Sequence, residues 1–246
     1  MDAHKIVSRE DWTVARKALL LKEKEYTHMR DRLSAERRDL PWVKVEKTYT
    51  FETPAGRKTL ADLFDGRSQL IVYHFMFAPG WAEGCPGCSL LSDHLDGPNM
   101  HLPHHDVAMV AVSRAPLSQI EPFKKRMGWR FNWVSSQGSD FNTDYQVSFT
   151  ADEVAKGPTY YNYELREDPS EGEAPGVSIF YKDEKGQIFH TYSSYGRGPE
   201  DMIGALMYLD LTPKGRNETS PMNWVRHHDK YEEVAAGACH AAEKSA

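Results

Sequence analysis

The sequence predicts an α/β fold with a mixed central sheet flanked by helices. Two apolar runs, 70–77 and 106–113, have the length and the β-branched and aromatic content of buried strands. Each is followed by a segment with helical spacing, which predicts parallel strands joined by a right-handed crossover. A later pair, 175–181 and 187–192, flanks a glycine-containing turn and predicts an antiparallel hairpin. Parallel and antiparallel strands together make the predicted sheet mixed.

A long amphipathic helix precedes the predicted sheet. Ser8, with Asp11 three residues later, resembles a capping box. A stripe that contains Trp12, Leu19 and Leu33 recurs at helical spacing. This helix can lie across its own domain, or it can pair with a second copy of the chain and form a homodimer. The sequence leaves both interpretations open.

The segments around the sheet have weaker patterns. Residues 43–51 alternate partly and predict a strand, and residues 58–64 predict a short helical turn or a second strand. The aromatic-rich insertion at 128–150 can be satellite core or an apolar wall beside a site. A closing helix is expected at 200–209. The predicted organisation has three parts: an N-terminal helical extension (1–40), a sheet-containing domain (41–212) and a polar C-terminal tail with a short anchor (213–246).

Two cysteines two residues apart follow the first buried strand. The run Cys85-Pro86-Gly87-Cys88 comes after a break at Pro79, and Pro86 suits the first turn of a helix. Backbone N–H groups and the positive end of the helix dipole would surround Cys85, and that environment favours a thiolate.

Three interpretations of this cysteine pair remain open. In a redox pair, Cys85 attacks a disulfide and Cys88 resolves the product. In a zinc or copper site, the pair needs further ligands, for which His94 is one candidate. In a structural pair, both thiols are buried and inert. We expect no resident metal or other cofactor. The third cysteine, Cys239, lies in the polar tail and is expected to be exposed.

Composition limits the function classes. The net charge of -6 comes without a concentrated basic block, so binding to nucleic acid is not expected. No segment has the length of a membrane span, and the first residues lack the apolar core of a secretory signal. The sequence therefore predicts a cytoplasmic protein without a membrane partner, in a compartment where a cysteine pair is more often catalytic or metal-binding than structural.

The strand, Cys-Pro-Gly-Cys run and helix together resemble the thioredoxin superfamily. Further strings resemble a bacterial thioredoxin-like family whose domain has no established function, and that resemblance extends from about residue 8 to about residue 231. It implies a thioredoxin-like fold for the sheet-containing domain. The strings are 113–117 (SRAPL), 126–129 (RMGW), 133–136 (WVSS), 195–198 (YGRG) and 209–213 (LDLTP).

The thioredoxin resemblance also implies roles for residues beyond the cysteines. It places Trp81, Pro86 and Pro175 at a substrate-binding site. Arg114 joins them because Cys85 and Arg114 each follow a strand of the same direction, so they are expected near each other. Pro175 would take the place of the thioredoxin cis-proline, with Ala174 presenting its backbone to a substrate, although an ordinary trans proline at a strand start fits equally well. The sequence departs from the thioredoxin pattern in two ways. Trp81 is not adjacent to the first cysteine, and the dipeptide between the cysteines is Pro-Gly instead of Gly-Pro.

The function that the sequence favours is thiol–disulfide oxidoreduction, with a thiol or disulfide substrate and with Cys85 and Cys88 as the catalytic pair. A peroxiredoxin-like peroxidase is one alternative, with Arg114 or Arg126 beside the thiolate, although Ala82 stands where peroxiredoxins have threonine. The other two alternatives are a copper- or zinc-binding protein and an interaction protein in which the redox motif is redundant.

Overall fold

The computed structural model describes residues 4–167 and 172–232. Cys239 and part of the predicted acidic loop lie outside the described residues. The chain divides into two compact units, Met1–Trp42 and Val43–Ala246. Among the described residues, no helix combines the length and the apolar character that crossing a membrane requires.

The N-terminal unit consists largely of one helix, α1 (Arg9–Arg38), as the sequence predicts. The Ser8 hydroxyl accepts the Asp11 N–H at 3.1 Å and so caps the first turn. Acidic residues lie in the first turn and basic residues in the last, which stabilises the helix dipole at both ends. Pairing of α1 with a second copy stays a prediction.

The second unit is built on an eight-stranded sheet with the order β1-β10-β9-β4-β5-β6-β2-β3, and β7 and β8 form a separate hairpin. The strands are β1 (Val43–Lys44), β2 (Thr50–Thr53), β3 (Gly56–Thr59), β4 (Gln69–His74), β5 (Val107–Ser113), β6 (Asn132–Ser135), β7 (Thr159–Tyr161), β8 (Glu164–Arg166), β9 (Gly176–Lys182) and β10 (Ile188–Tyr195). The other α-helices are α2 (Leu60–Leu63), α3 (Pro86–Ser92), α4 (Leu117–Arg126), α5 (Phe141–Asp144), α6 (Ala151–Ala155) and α7 (Gly204–Leu209).

The centre of the sheet has the thioredoxin-like arrangement. Strands β4 and β5 are parallel and are connected through α3, while β9 pairs antiparallel with β4 and continues into the hairpin with β10. Helix α4 follows β5, and α7 follows the hairpin. The predicted α/β fold with a mixed sheet is therefore confirmed.

Two hydrophobic clusters cover the faces of the sheet. Side chains alternate along a strand, so Tyr73 of β4 joins one cluster while Val72 joins the other. The first cluster also contains α3, α4 and α7 residues, together with Cys88. The second contains Phe51, Phe141 and other residues from outside the central strands. The cysteine pair thus belongs to the helix-covered face.

The predicted strand at 43–51 is wrong as a single element. Its first residues form β1, which pairs with β10 at one edge of the sheet. Its last residues begin β2, which pairs with β3 and β6 near the opposite edge. Phe51 is fully buried there, edge-to-face with Phe141 at a centroid distance of 4.9 Å. The segment 43–51 crosses from one side of the sheet to the other because its first residues pair with β10 and its last residues belong to a strand that pairs with β3 and β6.

Most of the aromatic-rich insertion contributes to the two main clusters, while Val147 and Phe149 lie in a small satellite cluster with Tyr161, Ala174 and Tyr195. The insertion contains β6, which the sequence patterns did not separate from the surrounding loop and which extends the parallel part of the sheet beside β5. Trp133 of β6 is buried in the cluster that holds Cys88, and its indole N–H donates to the Ser113 hydroxyl at 3.0 Å. Phe141 and Tyr145 belong to the cluster on the opposite face.

The predicted closing helix at 200–209 is interrupted. A 3-10 turn spans Gly198–Met202, and α7 begins afresh at Gly204. His94 explains the position of this start, because its Nε2 accepts the Ala205 N–H at 3.0 Å. A Cβ at position 204 would lie 3.2 Å from the His94 ring, so glycine gives the imidazole room.

A histidine is buried at the carboxyl end of β4. His74 is 1% exposed, stacks on Phe141, and has its Nε2 atom 2.8 Å from the Ser178 hydroxyl. The Ser178 hydroxyl in turn lies 2.8 Å from that of Ser193. Burial lowers the pKa of His74 to about 3, with a smaller effect from the charge of His190. The imidazole is therefore neutral in the native protein.

We predict that His74 makes the protein less stable in mild acid. Below a pH of about 6.5 the unfolded chain takes up a proton on His74 that the native chain takes up only near pH 3. The free energy of unfolding should fall by about 2 kcal/mol on this account between about pH 7.5 and about pH 5. Urea titrations at both pH values measure it.

In a His74→Phe variant this part of the pH dependence should disappear. His105→Phe is the matched control, because His105 is exposed. An identical loss of stability in acid for the wild type and His74→Phe would contradict the assignment.

Candidate active site

The cysteine pair is held where β4 ends. β4 stops at His74, three residues earlier than the predicted strand, and a loop then runs to Cys85, which is the N-cap of α3. Backbone hydrogen bonds fix this loop beside β5: Phe75 N–H donates to Val112 O at 2.9 Å, and Cys85 N–H donates to Met76 O at 3.1 Å. The site thus lies at the carboxyl end of a strand, where sheets of this type place their sites.

Gly84 allows the loop to pack tightly on the core. A Cβ at this position would lie 2.5 Å from Cε1 and 2.8 Å from Cζ of Phe75. Phe75 itself is buried in a group of rings that includes Trp133, 4.5 Å away between centroids. The rigid aromatic core leaves room only for glycine and so sets the position of Cys85.

The two thiols have opposite electrostatic surroundings. The pKa of Cys85 is lowered to about 7, first by the hydrogen bond from the Cys88 thiol and then by the backbone N–H groups of Cys88 and Gly87, against the effect of burial. Burial raises the pKa of Cys88, which is 2% exposed, and the neighbouring Cys85 raises it further. At pH 7 about half of the Cys85 sulfur is therefore ionised, and this thiolate accepts a hydrogen bond from the Cys88 thiol, which stays protonated.

Cys88 is enclosed by groups from β4 and the loop. Its sulfur accepts the Met76 N–H at 3.5 Å, and the Tyr73 hydroxyl donates to its carbonyl oxygen at 3.5 Å. Burial raises the pKa of Tyr73, so the phenol stays protonated. Sequence reasoning missed Tyr73, although a polar side chain near the end of an apolar strand just before a cysteine pair was a usable signal.

Two of the predicted substrate-binding residues lie in the same loop and helix as the cysteines. Pro86 is the first residue of α3. Trp81 is half-buried against the cluster that contains Cys88, and its carbonyl oxygen accepts the Gln119 side-chain N–H at 2.8 Å. This hydrogen bond ties the loop to α4.

Arg114 follows β5 and is paired with a buried carboxylate. It forms an ion pair with Glu173, which is 1% exposed and also accepts the Ser148 hydroxyl at 2.8 Å. Burial raises the pKa of Glu173, against the effect of the Arg114 charge. Arg126 pairs with Glu83 and Asp229. The groups that lower the pKa of Cys85 come from positions 87 and 88 instead of from either arginine.

Pro175 precedes β9, which pairs with β4, but the cis alternative is wrong. The described part of the chain contains no cis peptide bond. The Ala174 N–H donates to Val147 O at 2.9 Å, and Pro175 O accepts the Tyr161 hydroxyl at 2.6 Å. The expectation that Ala174 presents its backbone to a substrate is therefore wrong for its N–H group, which the insertion already occupies.

The C-terminal tail folds onto the cysteine loop. We call residues 218–232 the C-terminal strap. Within it, Val225 and His227 are buried, and the His227 Nε2–H donates to Gly84 O at 2.8 Å. Lys230 donates to both oxygens of Glu83 at 2.6 and 2.7 Å, which lowers the pKa of that carboxyl to about 2, with Arg126 as the second cause. The sequence indicated only a short anchor.

The histidines near the site are engaged with the protein. His94 donates from Nδ1 to Leu90 O at 2.8 Å and accepts at Nε2, so neither nitrogen is available as a third ligand beside the cysteines. His228 donates to Asp93 at 2.6 Å. Among the described residues, no group of three or more His, Cys, Asp or Glu side chains is arranged to hold a metal ion.

An apolar cavity of about 620 Å³ adjoins the other end of α3. Leu95 and Ile71 line it together with α7 residues such as Tyr208, and Asp93 and His94 contribute polar atoms. Cys85 and Cys88 are not in its wall. The cavity is therefore a feature separate from the thiol site.

The chain was compared with known proteins. The model of a family described as a bacterial protein of unknown function, DUF899, matches residues 1–231. The chain belongs to this family. The family resemblance in the sequence strings is thereby confirmed. No curated protein sequence matches this DUF899 chain.

Solved structures similar to this DUF899 chain include a PrxQ, a bacterioferritin comigratory protein and a thiol:disulfide interchange protein. A cysteine-to-serine mutant of Xylella fastidiosa PrxQ is 12% identical, with a TM-score of 0.40, over 65% of this chain and 88% of that one. The Xanthomonas campestris bacterioferritin comigratory protein is 13% identical, with a TM-score of 0.45, over 70% and 96%. A putative Chlorobium tepidum thiol:disulfide interchange protein, DsbE, is 12% identical, with a TM-score of 0.42, over 68% and 94%.

We predict that Cys85 of the reduced protein titrates near pH 7. The rate of its alkylation by iodoacetamide, followed by mass spectrometry of the Cys85 peptide, should rise with a midpoint near pH 7, well below that of an ordinary cysteine thiol. Cys88→Ala removes the first cause of the shift and should move the midpoint upward.

Cys88→Ser is the matched control, because its hydroxyl can still donate to the Cys85 sulfur. A wild-type midpoint near 9, or equal midpoints for the Ala and Ser variants, would show that the Cys88 hydrogen bond does not set the reactivity of Cys85.

Proposed function

We propose that this protein is a thiol–disulfide oxidoreductase in which Cys85 is the nucleophile and Cys88 the resolving thiol. The observation that carries the proposal is the contrast between the two sulfurs. One is a half-buried sulfur whose pKa, lowered to about 7, gives a substantial thiolate fraction at neutral pH, and the other is a buried thiol that donates a hydrogen bond to it. An attacking sulfur needs a pKa near the ambient pH, and the resolving thiol must stay protonated until the first step is complete.

The reaction proceeds in two exchanges. The Cys85 thiolate attacks one sulfur of a substrate disulfide, so that a Cys85–substrate disulfide forms and one substrate thiolate leaves. Cys88 then gives up its proton and attacks the Cys85 sulfur, which forms the Cys85–Cys88 disulfide and releases the second thiolate. The substrate gains two electrons and the protein loses two. A dithiol of the reducing cytoplasm, our proposed location, restores the pair by the reverse exchange.

The surrounding residues act by positioning in this proposal. Pro86 starts α3 and so aims the N–H groups of Gly87 and Cys88 at the Cys85 sulfur. Trp81, tied to α4 through Gln119, gives the substrate an apolar wall. The Arg114–Glu173 pair fixes the segment before Pro175 beside the end of β4. We keep the four predicted residues as candidates for substrate contact: Trp81, Pro86, Arg114 and Pro175.

The decisive experiment compares two cysteine variants. With a small disulfide and a dithiol reductant, Cys85→Ser should abolish the catalysed exchange. Cys88→Ser should accumulate a mixed disulfide on Cys85, visible by mass spectrometry, because the second exchange lacks its thiol. Cys239→Ser is the matched control and should turn over like the wild type. A Cys85→Ser variant that retains the wild-type rate would refute the proposal.

A peroxidase is the second candidate, and the partial burial of Cys85 favours it. A hydroperoxide is small enough to reach a recessed thiolate. Attack on the O–O bond would give the Cys85 sulfenic acid and an alcohol, and condensation with the Cys88 thiol would then release water and form the disulfide. Against it, Arg114 and Arg126 are held by carboxylates and do not contribute to the lowered pKa of Cys85.

Stopped-flow mixing of the reduced protein with hydrogen peroxide separates the two candidates. A disulfide-exchange enzyme should consume peroxide no faster than a free cysteine at the same pH. A rate at least about a hundredfold higher than that, lost in Cys85→Ser, would favour the peroxidase, because an effect of that size requires a site that stabilises the transition state.

A further inference from the structure

The C-terminal strap is attached to the cysteine loop by buried and charged contacts. His227 is 4% exposed, its ring lies edge-to-face on Phe123 at 5.4 Å, and it donates to Gly84 O. Glu83 accepts from Lys230 and from Arg126, and Arg126 also pairs with Asp229 at 3.0 Å. The strap is therefore fixed on the residues that immediately precede Cys85.

The strap also reaches the first turn of α3, next to the nucleophile. A Cβ at Gly87 would lie 3.6 Å from Met222 Sδ and 3.8 Å from Cys85 Sγ, so Met222 and the Cys85 sulfur both lie beside Gly87. Met222 and Trp224 are half-buried against the cluster that contains Cys88. Both are held in place by Glu218, which accepts the Met222 N–H at 2.9 Å and the Trp224 indole N–H at 3.0 Å.

The chain's own insertion occupies the backbone on the β9 side. An extended substrate chain needs free N–H and C=O groups to pair with. Here Ala174 N–H is bonded to Val147, Pro175 O is bonded to Tyr161, and the Tyr161 hydroxyl also accepts the Gly196 N–H at 2.7 Å. A segment of a protein substrate therefore finds the Ala174 N–H and the Pro175 carbonyl already bonded within the chain.

Several half-buried side chains pack against the same cluster as Cys85, and they are apolar. Met76, Trp81, Met222 and Trp224 are half-buried against the same cluster as the Cys85 side chain. The charged groups close to the site, Glu83, Arg126, Asp229 and Lys230, are paired with one another. A substrate with an apolar substituent would bury surface against the methionine and tryptophan side chains, whereas a charged substrate would find no unpaired partner among these four groups.

We propose that the C-terminal strap limits the Cys85 site to low-molecular-weight disulfides with apolar substituents and excludes the disulfides of folded proteins. This substrate class rests on the proposed function, but the steric effect of the strap does not. Two separate measurements can therefore test access and substrate choice.

Access is measured by thiol labelling in a Cys88→Ser, Cys239→Ser background, where Cys85 is the only cysteine. N-ethylmaleimide is compared with a maleimide carried on a polyethylene glycol chain as large as a small protein. The ratio of the large-reagent rate to the small-reagent rate cancels the reactivity of the thiol. It should lie well below the ratio for the same protein unfolded in urea.

Loosening the strap should raise this ratio. In His227→Ala, loss of a buried ring and its hydrogen bond should increase the large-to-small ratio about tenfold. Lys230→Ala should raise the ratio less, and this variant provides the test if His227→Ala does not fold. Lys214→Ala is the matched control, because Lys214 is an exposed lysine just before the strap, and the ratio should stay at the wild-type value. A wild-type ratio equal to that in urea, or one that neither strap variant raises, would overturn the proposal.

Substrate choice is measured with diethyl disulfide, cystine and insulin at equal disulfide concentration and with a dithiol reductant. The intact protein should reduce diethyl disulfide fastest and insulin slowest, and His227→Ala should gain on insulin relative to diethyl disulfide. Equal rates on insulin and diethyl disulfide would overturn the proposal. If no disulfide is reduced, the proposed function fails, and the labelling ratio still decides whether the strap controls access.

Discussion

The burial of one sulfur beside another is the constraint on which the site depends. Cys88 lies in a core of aromatic rings, where an ionised thiol would lose its hydration without full compensation. It therefore keeps its proton and can donate to Cys85, whose sulfur carries the charge. The position of both atoms follows from the end of β4, from the close contact between Gly84 and Phe75, and from the start of α3 at Pro86. A change in any of these parts would alter the difference between the two thiols.

Local patterns in the sequence were sufficient for the central elements. The capped helix at the N-terminus, the strands before and after α3, helix α4 and the later hairpin all have periodicity or turn residues that act within a few positions. The Cys-Pro-Gly-Cys run is equally local, so its place at the start of a helix could be anticipated. These elements depend little on distant partners, which is why they could be inferred without coordinates.

The remaining differences all involve partners far apart in sequence. Residues 43–51 divide because their backbone partners lie at opposite edges of the sheet, and no local pattern contains that information. The Ala174 N–H donates to Val147 O, and Val147 belongs to an insertion whose apolar residues have no regular spacing. The sequence predicted a polar tail where the structure has the strap, because the charges of Glu83, Lys230 and Arg126 form ion pairs only after folding. Tyr73 was missed for the same reason: a single polar residue in an apolar strand has many explanations until its neighbours are known. His227 could be noted in the sequence as a possible metal ligand, but its contact with Gly84, 143 positions away, could not be anticipated.

The lengths of the outermost strands bear on how copies of this protein meet. β1 has two residues and β3 has four, so each rim of the eight-stranded sheet offers few unsatisfied backbone groups to another molecule. Short rims of this kind discourage the growth of a continuous sheet from one molecule to the next. The short outer strands therefore disfavour fibrous aggregation along the open sides of the sheet.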